Sequence, residues 1–448
     1  MIRAALSLAV LFAPLAAIAA PPPPEDVAWA IAEGLTTEVG QRLAGTEAEA
    51  RGREWAVRRL KALGFANVRI EPFAMRVWER GAESAEILAP FPQRLSLTAL
   101  GGSAATPPAG IDAEVVGFAS LAAFDAAPDE AVRGRIVFVS HAMGPTQDGS
   151  SYGPYGNVRR QGPAIAARKG AAAILIRSVG TGPARMAHTG QTNWAQGAPA
   201  IPAAALALPD AEQLARILAR GKPVRLRLVL APRDSGMRQS GNVVAEIPGR
   251  DPKAGIVLVG GHLDSWDLGT GAVDDAAGLA ITTAAAKAVA AKGRPLRTIR
   301  LVWFGAEEVG GLGGDAYRDR HRAEKHVLAA ESDFGADRVW RFDTRVGEPD
   351  APLVRRIADA LLPLGIARGG NTAGPGTDVE PIILASAVPA ISLRQDGMRY
   401  FELHHTADDT LDKIDRAQLD QNVAAWTALI DIVANATEEL APPLPAAR

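Results

Sequence analysis

The chain has 448 residues, of which 48% are hydrophobic, so it is long enough for two or three domains with buried cores. A formal net charge of −2 argues against nucleic acid as a partner. Cysteine is absent, which excludes disulfides and thiolate ligands. A metal ion in this protein must therefore be held by histidine, aspartate and glutamate.

The N-terminus has the pattern of a signal peptide, residues 1–19. Arg3 supplies the positive charge, Ala4 to Leu15 the apolar core, and Ala17-Ile18-Ala19 a small-residue cleavage site. An uncleaved membrane anchor is the alternative, but the apolar run is short and Pro14 interrupts it. We expect an exported protein, periplasmic or secreted, that leaves the membrane after cleavage.

Residues 20–109 form the predicted first part of the main domain. Thr46-Glu47-Ala48-Glu49 fits a capping box at the start of a helix. Gly64 ends that helix, and residues 68–73 alternate like a strand. We expect Glu47, Glu49 and Glu54 to be solvated in the first turns of the helix.

Residues 110–235 have a different texture and indicate a small α/β insert. Its strands are predicted at 136–139, 172–176, 202–206 and 224–230, and a helix at 163–169. Residues 143–157 are rich in Gly and Ser and indicate a long loop of the functional kind. His141 and His188 have no carboxylates at ligand spacing, so we do not expect them to bind metal.

Residues 236–448 form the predicted second part of the main domain. Ile256 to Val259 is a β-branched apolar run, typical of a buried strand, which we expect Gly260 and Gly261 to end. His262 and Asp264 then lie at the carboxyl edge of a sheet, where α/β proteins bind their ligands. The Ala-rich run from 275 to 292 predicts the following helix.

The remaining acidic and histidine residues also follow predicted strands, at 298–304, 327–330 and 390–393, before a last helix at 416–440. Histidines and several carboxylates without thiolates suit two divalent metals that share a bridging carboxylate. Such a pair activates water, and a free carboxylate beside it takes the proton. The clusters are His262/Asp264, Asp274/Asp275, Glu307/Glu308, Asp333 and His404/His405.

The motifs Gly-Gly-His-Leu-Asp-Ser-Trp-Asp, Glu-Ser-Asp and Phe-x-x-His-His resemble those of the co-catalytic zinc exopeptidases, which include bacterial leucyl aminopeptidases and glutamate carboxypeptidases. The resemblance is strong from 242 to 410 and weak in the insert. It implies an α/β fold, a three-layer α/β/α sandwich on a mixed sheet. It also implies that 110–235 is a protease-associated-like domain that partly covers the site.

The resemblance also implies roles. Glu307 matches the general base, Asp264 orients a histidine ligand, and His404 falls where relatives contact the substrate or the oxyanion. Two Zn²⁺ ions are implied. Their ligands are His262, Asp274, Glu308, Asp333 and His405, with Asp274 as the bridge.

The expected function is hydrolysis of dipeptides and short peptides by a dizinc carboxypeptidase or dipeptidase. An aminopeptidase that releases N-terminal residues uses the same metal centre and stays open at this point. A non-catalytic, receptor-like binding protein is a remote alternative, because all five ligands and the base are present. A homodimer is compatible with the sequence.

Overall fold

The computed structural model describes residues 26–194 and 199–443. The predicted signal peptide lies outside these ranges. Within them, no helix is both long and apolar enough to cross a membrane.

The described residues fold into α-helices and β-strands with the following bounds. The helices are α1 Val27–Gly34, α2 Glu47–Ala62, α3 Leu121–Ala126, α4 Tyr152–Arg168, α5 Leu208–Leu218, α6 Ala277–Ala291, α7 Leu312–His321, α8 Pro352–Leu361, α9 Glu380–Ser386, α10 Tyr400–Leu403 and α11 Arg416–Asn435. The strands are β1 Ala66–Glu79, β2 Glu83–Ala89, β3 Gln93–Leu95, β4 Leu97–Ala99, β5 Ile111–Phe118, β6 Ile136–Val139, β7 Ala173–Arg177, β8 Ala203–Leu206, β9 Arg225–Leu230, β10 Arg233–Ile247, β11 Ile256–His262, β12 Thr298–Phe304, β13 His326–Glu331, β14 Val339–Arg345, β15 Ala367–Arg368 and β16 Ala390–Gln395.

The first sheet, sheet I, has the strand order β1-β10-β12-β11-β13-β16-β14-β15. Strand β11 runs parallel to β12 and β13, whereas β10 pairs antiparallel with β1 and β12, so the sheet is mixed. Alternate residues of β11 face opposite cores. Val257 and Val259 pack in the cluster that contains α1, α6 and α11, and Leu258 in the cluster that contains α7 and α9. The predicted α/β/α sandwich on a mixed sheet is therefore confirmed.

Gly260 and Gly261 were predicted to end β11, but both lie within the strand. A Cβ on Gly260 would stand 2.0 Å from the carbonyl oxygen of Val302 on β12. A Cβ on Gly261 would stand 2.2 Å from a carboxylate oxygen of Asp275. The glycines are needed for close approach and not for a turn.

The second sheet, sheet II, has the order β3-β2-β9-β5-β6-β7-β8-β4, and its strands lie between Glu83 and Leu230. Strands β1 and β10 lead into and out of it as one antiparallel pair, in which Glu79 is opposite Arg233. The division of the chain at 110 and 235 stays a prediction. The strands of sheet II nevertheless begin before residue 110, because β2 pairs with β9 and β3 pairs with β2.

Three predicted helices have different bounds in the structure. Helix α4 begins at Tyr152, inside the stretch expected to be a loop. Helix α6 begins at Ala277, because Asp274 and Asp275 have non-helical backbone angles. Helix α11 ends at Asn435 and not near 440.

Glu49 is buried, contrary to the expectation of a solvated first turn. Thr46 caps α2 as predicted, and its side chain accepts the Glu49 N–H. The Glu49 carboxylate, however, accepts the Gly45 N–H at 2.7 Å and the Ser240 hydroxyl at 2.6 Å, and forms an ion pair with Arg53. This residue therefore joins the start of α2 to β10.

We predict that Glu49→Gln destabilises the protein by about 3–5 kcal/mol, because it leaves the buried Arg53 cation without its partner. Glu47→Gln, in the same turn but exposed, is the matched control and changes stability by less than about 0.5 kcal/mol. Urea unfolding of both variants measures the difference. Equal stabilities would show that the Glu49 pair does not stabilise this junction.

Candidate metal centre

The predicted site residues lie together at the carboxyl end of sheet I. Strand β11 ends at His262, β12 leads into the turn with Glu307 and Glu308, and β13 leads to Asp333. The segment after β16 brings His404 and His405 to the same edge. Groups of these side chains approach closely enough to hold a metal ion, within the part of the chain that the structure describes.

Asp274 lies between His262 and His405, the two histidines among the expected ligands. Its Oδ1 is 3.0 Å from Nε2 of His262, and its Oδ2 is 3.3 Å from Nε2 of His405. The carboxylate is buried. Each of its two oxygens therefore faces one of the two histidines.

Each histidine also faces a second carboxylate. The Nε2 atom of His262 is 3.4 Å from Oδ1 of Asp333, and Nε2 of His405 is 2.9 Å from Oε2 of Glu308. The centre thus divides into a His262/Asp333 half and a His405/Glu308 half that meet at Asp274.

The other ring nitrogen of each histidine faces a backbone carbonyl. His262 donates from Nδ1 to the carbonyl of Asp264 at 2.8 Å, and His405 donates from Nδ1 to the carbonyl of Thr189 at 3.2 Å. Because a carbonyl only accepts, Nδ1 carries the hydrogen, and in a neutral ring Nε2 carries the lone pair.

These lone pairs point at carboxylate oxygens, and such contacts repel unless a metal ion or a proton lies between them. Each of these three carboxylates also has a buried oxygen without a hydrogen-bond partner among the described residues: Asp274 Oδ2, Glu308 Oε1 and Asp333 Oδ1. Histidine nitrogens and carboxylate oxygens are the ligands that zinc takes in the absence of thiolates. The arrangement therefore fits divalent metal ions.

The pKa values of the metal-free site also indicate that positive charge is stabilised there. Burial opposes protonation of His262 and His405, yet the surrounding carboxylates raise the pKa of both well above its usual value. Burial also opposes ionisation of Asp274, but the hydrogen bond with His262 and the nearby charge of His405 lower its pKa well below the usual range. In contrast, burial raises the pKa of Glu308 to about 8. Without metal, protons take the place of the cations.

Asp264 orients His262 through its backbone and not through its side chain. The nearer carboxylate oxygen is 3.9 Å from Nδ1 of His262, too far for a hydrogen bond. The carboxylate instead accepts the N–H groups of Glu307 at 3.0 Å and Glu308 at 3.3 Å. Asp264 therefore positions the turn that carries these two glutamates.

Asp275 also lies near His262 and Asp333, but its oxygens are already occupied. One accepts the His262 N–H at 3.1 Å and the other the Gly278 N–H at 3.0 Å. The residue joins the end of β11 to the start of α6, which distinguishes it from its neighbour Asp274.

His404 stacks on His405 with ring centroids 3.4 Å apart. Its Nε2 is 3.9 Å from Oδ2 of Asp274, so the ring faces the centre. Burial lowers the pKa of His404 well below its usual value, which keeps the ring neutral. Its carbonyl accepts a hydrogen bond from Nδ1 of His188 at 2.7 Å, which gives His188 a positioning role.

Sequence reasoning missed Arg42, which lies fully buried beneath the site. It donates to the carbonyls of Leu263 at 2.7 Å, Thr270 at 2.6 Å and Gly271 at 3.0 Å. Asp409 helps to hold the same loop by accepting the N–H groups of residues 272 and 273. No local motif marks Arg42, because its partners are distant backbone groups.

Segments of the chain from sheet II cover the centre. The ring of Tyr152 is stacked on Phe401 at 4.8 Å and lies edge-on to His404 at 5.1 Å. The carbonyl of Gln147 accepts the Gly397 N–H at 2.8 Å. These contacts place the segment 143–152 along one side of the site.

Known proteins resemble the chain over most of its length. Residues 242–430 match the model of Peptidase family M28. Carboxypeptidase Q of Rattus norvegicus is 36% identical over 409 residues, which cover 91% of this chain and 85% of the rat protein. Carboxypeptidase Q of Homo sapiens is 35% identical with the same coverage of 91% and 85%.

Two solved structures extend the comparison. The Peptidase M28 precursor from Shewanella amazonensis SB2B is 45% identical, with a TM-score of 0.91 and coverage of 94% of this chain and 96% of that chain. A zinc aminopeptidase from Bacillus subtilis, 19% identical over 95% of this chain and 99% of that chain, has a TM-score of 0.68 and shares the fold. The prediction from the motifs is confirmed: the chain belongs to peptidase family M28.

Proposed function

We propose that this protein is an exported, zinc-dependent exopeptidase that binds two metal ions and hydrolyses dipeptides and short peptides. One observation carries the proposal. The Nε2 atoms of His262 and His405 approach opposite oxygens of Asp274, at 3.0 and 3.3 Å, while carbonyls occupy both Nδ1 atoms. Two cations, one beside each Nε2 atom, would remove the repulsion between these lone pairs and the carboxylate oxygens.

The ligands divide between the two ions as the halves of the centre do. His262, Asp274 and Asp333 hold one ion, and His405, Asp274 and Glu308 hold the other. Bound ions of this type lower the pKa of water and polarise a carbonyl group.

Glu307 is the proposed general base. Its backbone N–H is fixed by Asp264, and its side chain is partly exposed. No described residue forms a hydrogen bond or ion pair with its carboxylate in the structure. A carboxylate that is positioned but not engaged can take a proton from the attacking water and deliver it to the leaving amine.

His404 is the proposed donor to the substrate carbonyl oxygen. A neutral imidazole that faces the centre can donate from Nε2 to the negative charge that develops there. Stacking on His405 orients its ring, and the hydrogen bond from His188 holds its backbone carbonyl.

The substrate end that the site recognises is, in this proposal, a free carboxylate. A cavity of about 70 Å³ borders Asp333 and is also lined by Phe334 and Arg394. Arg394 donates from Nε to Asp343 at 3.0 Å, and its terminal nitrogens have no hydrogen-bond partner among the described residues. A guanidinium with free donors suits a carboxylate. The mammalian relatives named carboxypeptidase Q favour the same end.

The first prediction from the proposed function is that chelation abolishes hydrolysis and that zinc restores it, with two ions bound per chain. The substrates are a free dipeptide, the same dipeptide blocked at its amine, and the same dipeptide blocked at its carboxylate. We expect the carboxylate-blocked peptide to be the poorest substrate. Preference for it over the amine-blocked peptide would identify an aminopeptidase, and zinc binding without hydrolysis of any peptide would indicate a receptor-like protein.

The second prediction separates neighbouring carboxylates by role. Glu307→Gln keeps both metals and lowers kcat by about 10²–10⁴-fold, the usual contribution of a general base. Glu308→Gln weakens one metal, Asp274→Asn weakens both, and Asp275→Asn is much milder than Asp274→Asn. Activity assays and metal titrations test this set. Equal metal loss in the Glu307 and Glu308 variants would contradict the assignment.

The insert is proposed to set the length of the substrate. Its 143–151 segment and the start of α4 lie beside Phe334 and Phe401, the residues that flank the centre. A Cβ on Gly149 would stand 2.6 Å from the Phe334 ring, so this segment is closely packed there. A wall at this position leaves room for short peptides only.

The third prediction is that replacing residues 146–150 by a glycine linker lets longer peptides in. The ratio of hydrolysis of a long unfolded peptide to that of a dipeptide rises in the variant. Shortening the exposed Gly221–Lys222 turn, which lies elsewhere in the insert, serves as the control. An unchanged ratio in a folded, metal-loaded variant would show that the segment does not limit length.

A further inference from the structure

The two histidine ligands differ in where their outer hydrogen-bond acceptor comes from. For His262 the acceptor is the carbonyl of Asp264, two residues away on the same loop. For His405 it is the carbonyl of Thr189, 216 residues away in the chain between β7 and β8 of sheet II. Such acceptors fix the tautomer and the orientation of a metal-binding imidazole.

Arg159 of α4 holds the Thr189 carbonyl in position. The residue is buried, and it donates from Nη1 to that carbonyl at 3.2 Å. Its Nη1 is also 3.4 Å from Nδ1 of His405. Both nitrogens carry hydrogens when His405 binds a metal, so they do not bond to each other but converge on the two lone pairs of one oxygen.

Two further features keep the guanidinium in place. Arg159 donates from Nη2 to the hydroxyl of Tyr152 at 2.6 Å. A Cβ on Gly190 would stand 2.3 Å from Nη1 of Arg159, so only glycine leaves room for the guanidinium against this backbone. Thr189 itself donates its N–H to the His405 carbonyl at 3.1 Å, so two hydrogen bonds join Thr189 to His405.

We infer that Arg159 is a positioning residue for the His405/Glu308 half of the metal centre, which is complete only when the sheet II part of the chain is docked. The inference rests on the proposed function, since it requires two bound ions. It adds that the two ions differ in which part of the chain supports their ligands. The His262/Asp333 half is supported within its own loop, and the other half depends on a distant segment.

The test is a zinc titration of the metal-free protein in competition with a fluorescent chelator, which resolves two dissociation constants. In Arg159→Gln we expect one constant to rise by about 10–100-fold, the usual effect of losing an outer-shell partner, and the other to stay unchanged. The matched control is Arg160→Gln. Among the described residues, the Arg160 side chain donates only within its own helix, to Gly153 and Asn157, and this variant should keep both constants.

A second variant and a measurement on the unaltered protein keep the inference testable if Arg159→Gln fails to fold. Arg159→Lys keeps a buried cation but loses the two-armed contact, so we expect a smaller loss confined to the same ion. In the unaltered protein, zinc loading should slow hydrogen exchange of the Thr189 amide.

The outcomes distinguish this inference from the proposed function. If the unaltered protein binds no zinc, the proposed function fails. If it binds two ions but Arg159→Gln and Arg159→Lys match the Arg160 control, or lose both ions equally, only the role of Arg159 is overturned. Unchanged exchange at Thr189 on zinc loading would likewise overturn the link between the halves.

Discussion

The structure depends on how it accommodates negative charge at the carboxyl end of sheet I. An ionised carboxylate removed from water is unstable unless hydrogen bonds or cations compensate it. Asp264, Asp275 and Asp409 each accept backbone N–H groups from the surrounding loops. Burial nevertheless raises the pKa of all three carboxyl groups, so these hydrogen bonds compensate the charge only in part.

The carboxylates of the metal centre accept no backbone N–H group among the described residues, and their neighbours are histidines. Asp274, Glu308 and Asp333 face histidine nitrogens whose opposite sides are already engaged with carbonyls. The buried guanidinium of Arg42 binds carbonyls beneath the loop and forms no ion pair with these groups. A metal cation bound at this place would supply the positive charge that these carboxylates lack.

Much of this arrangement could be predicted from the chain, because local patterns encode it. The strand at Thr298–Phe304 has the predicted bounds, and the predicted ligands meet at one edge because parallel strands end there. Contacts made by backbone groups could not be predicted. The Thr189 and Asp264 carbonyls that orient the histidines have no residue signature. The local pattern predicts that Glu49 is a solvated helical residue, because its partner Ser240 lies far away in the sequence.

The pair of β1 and β10 has a consequence for how such a protein changes over evolutionary time. Glu79 and Arg233 are opposite each other in register and joined by an ion pair, so everything between them leaves and re-enters sheet I at a single point. The entropic cost of closing a loop rises only slowly with its length. Recombination at this junction can therefore exchange or resize the segment between them without altering the register of sheet I, provided that the new segment again supplies a carbonyl like that of Thr189 to orient His405.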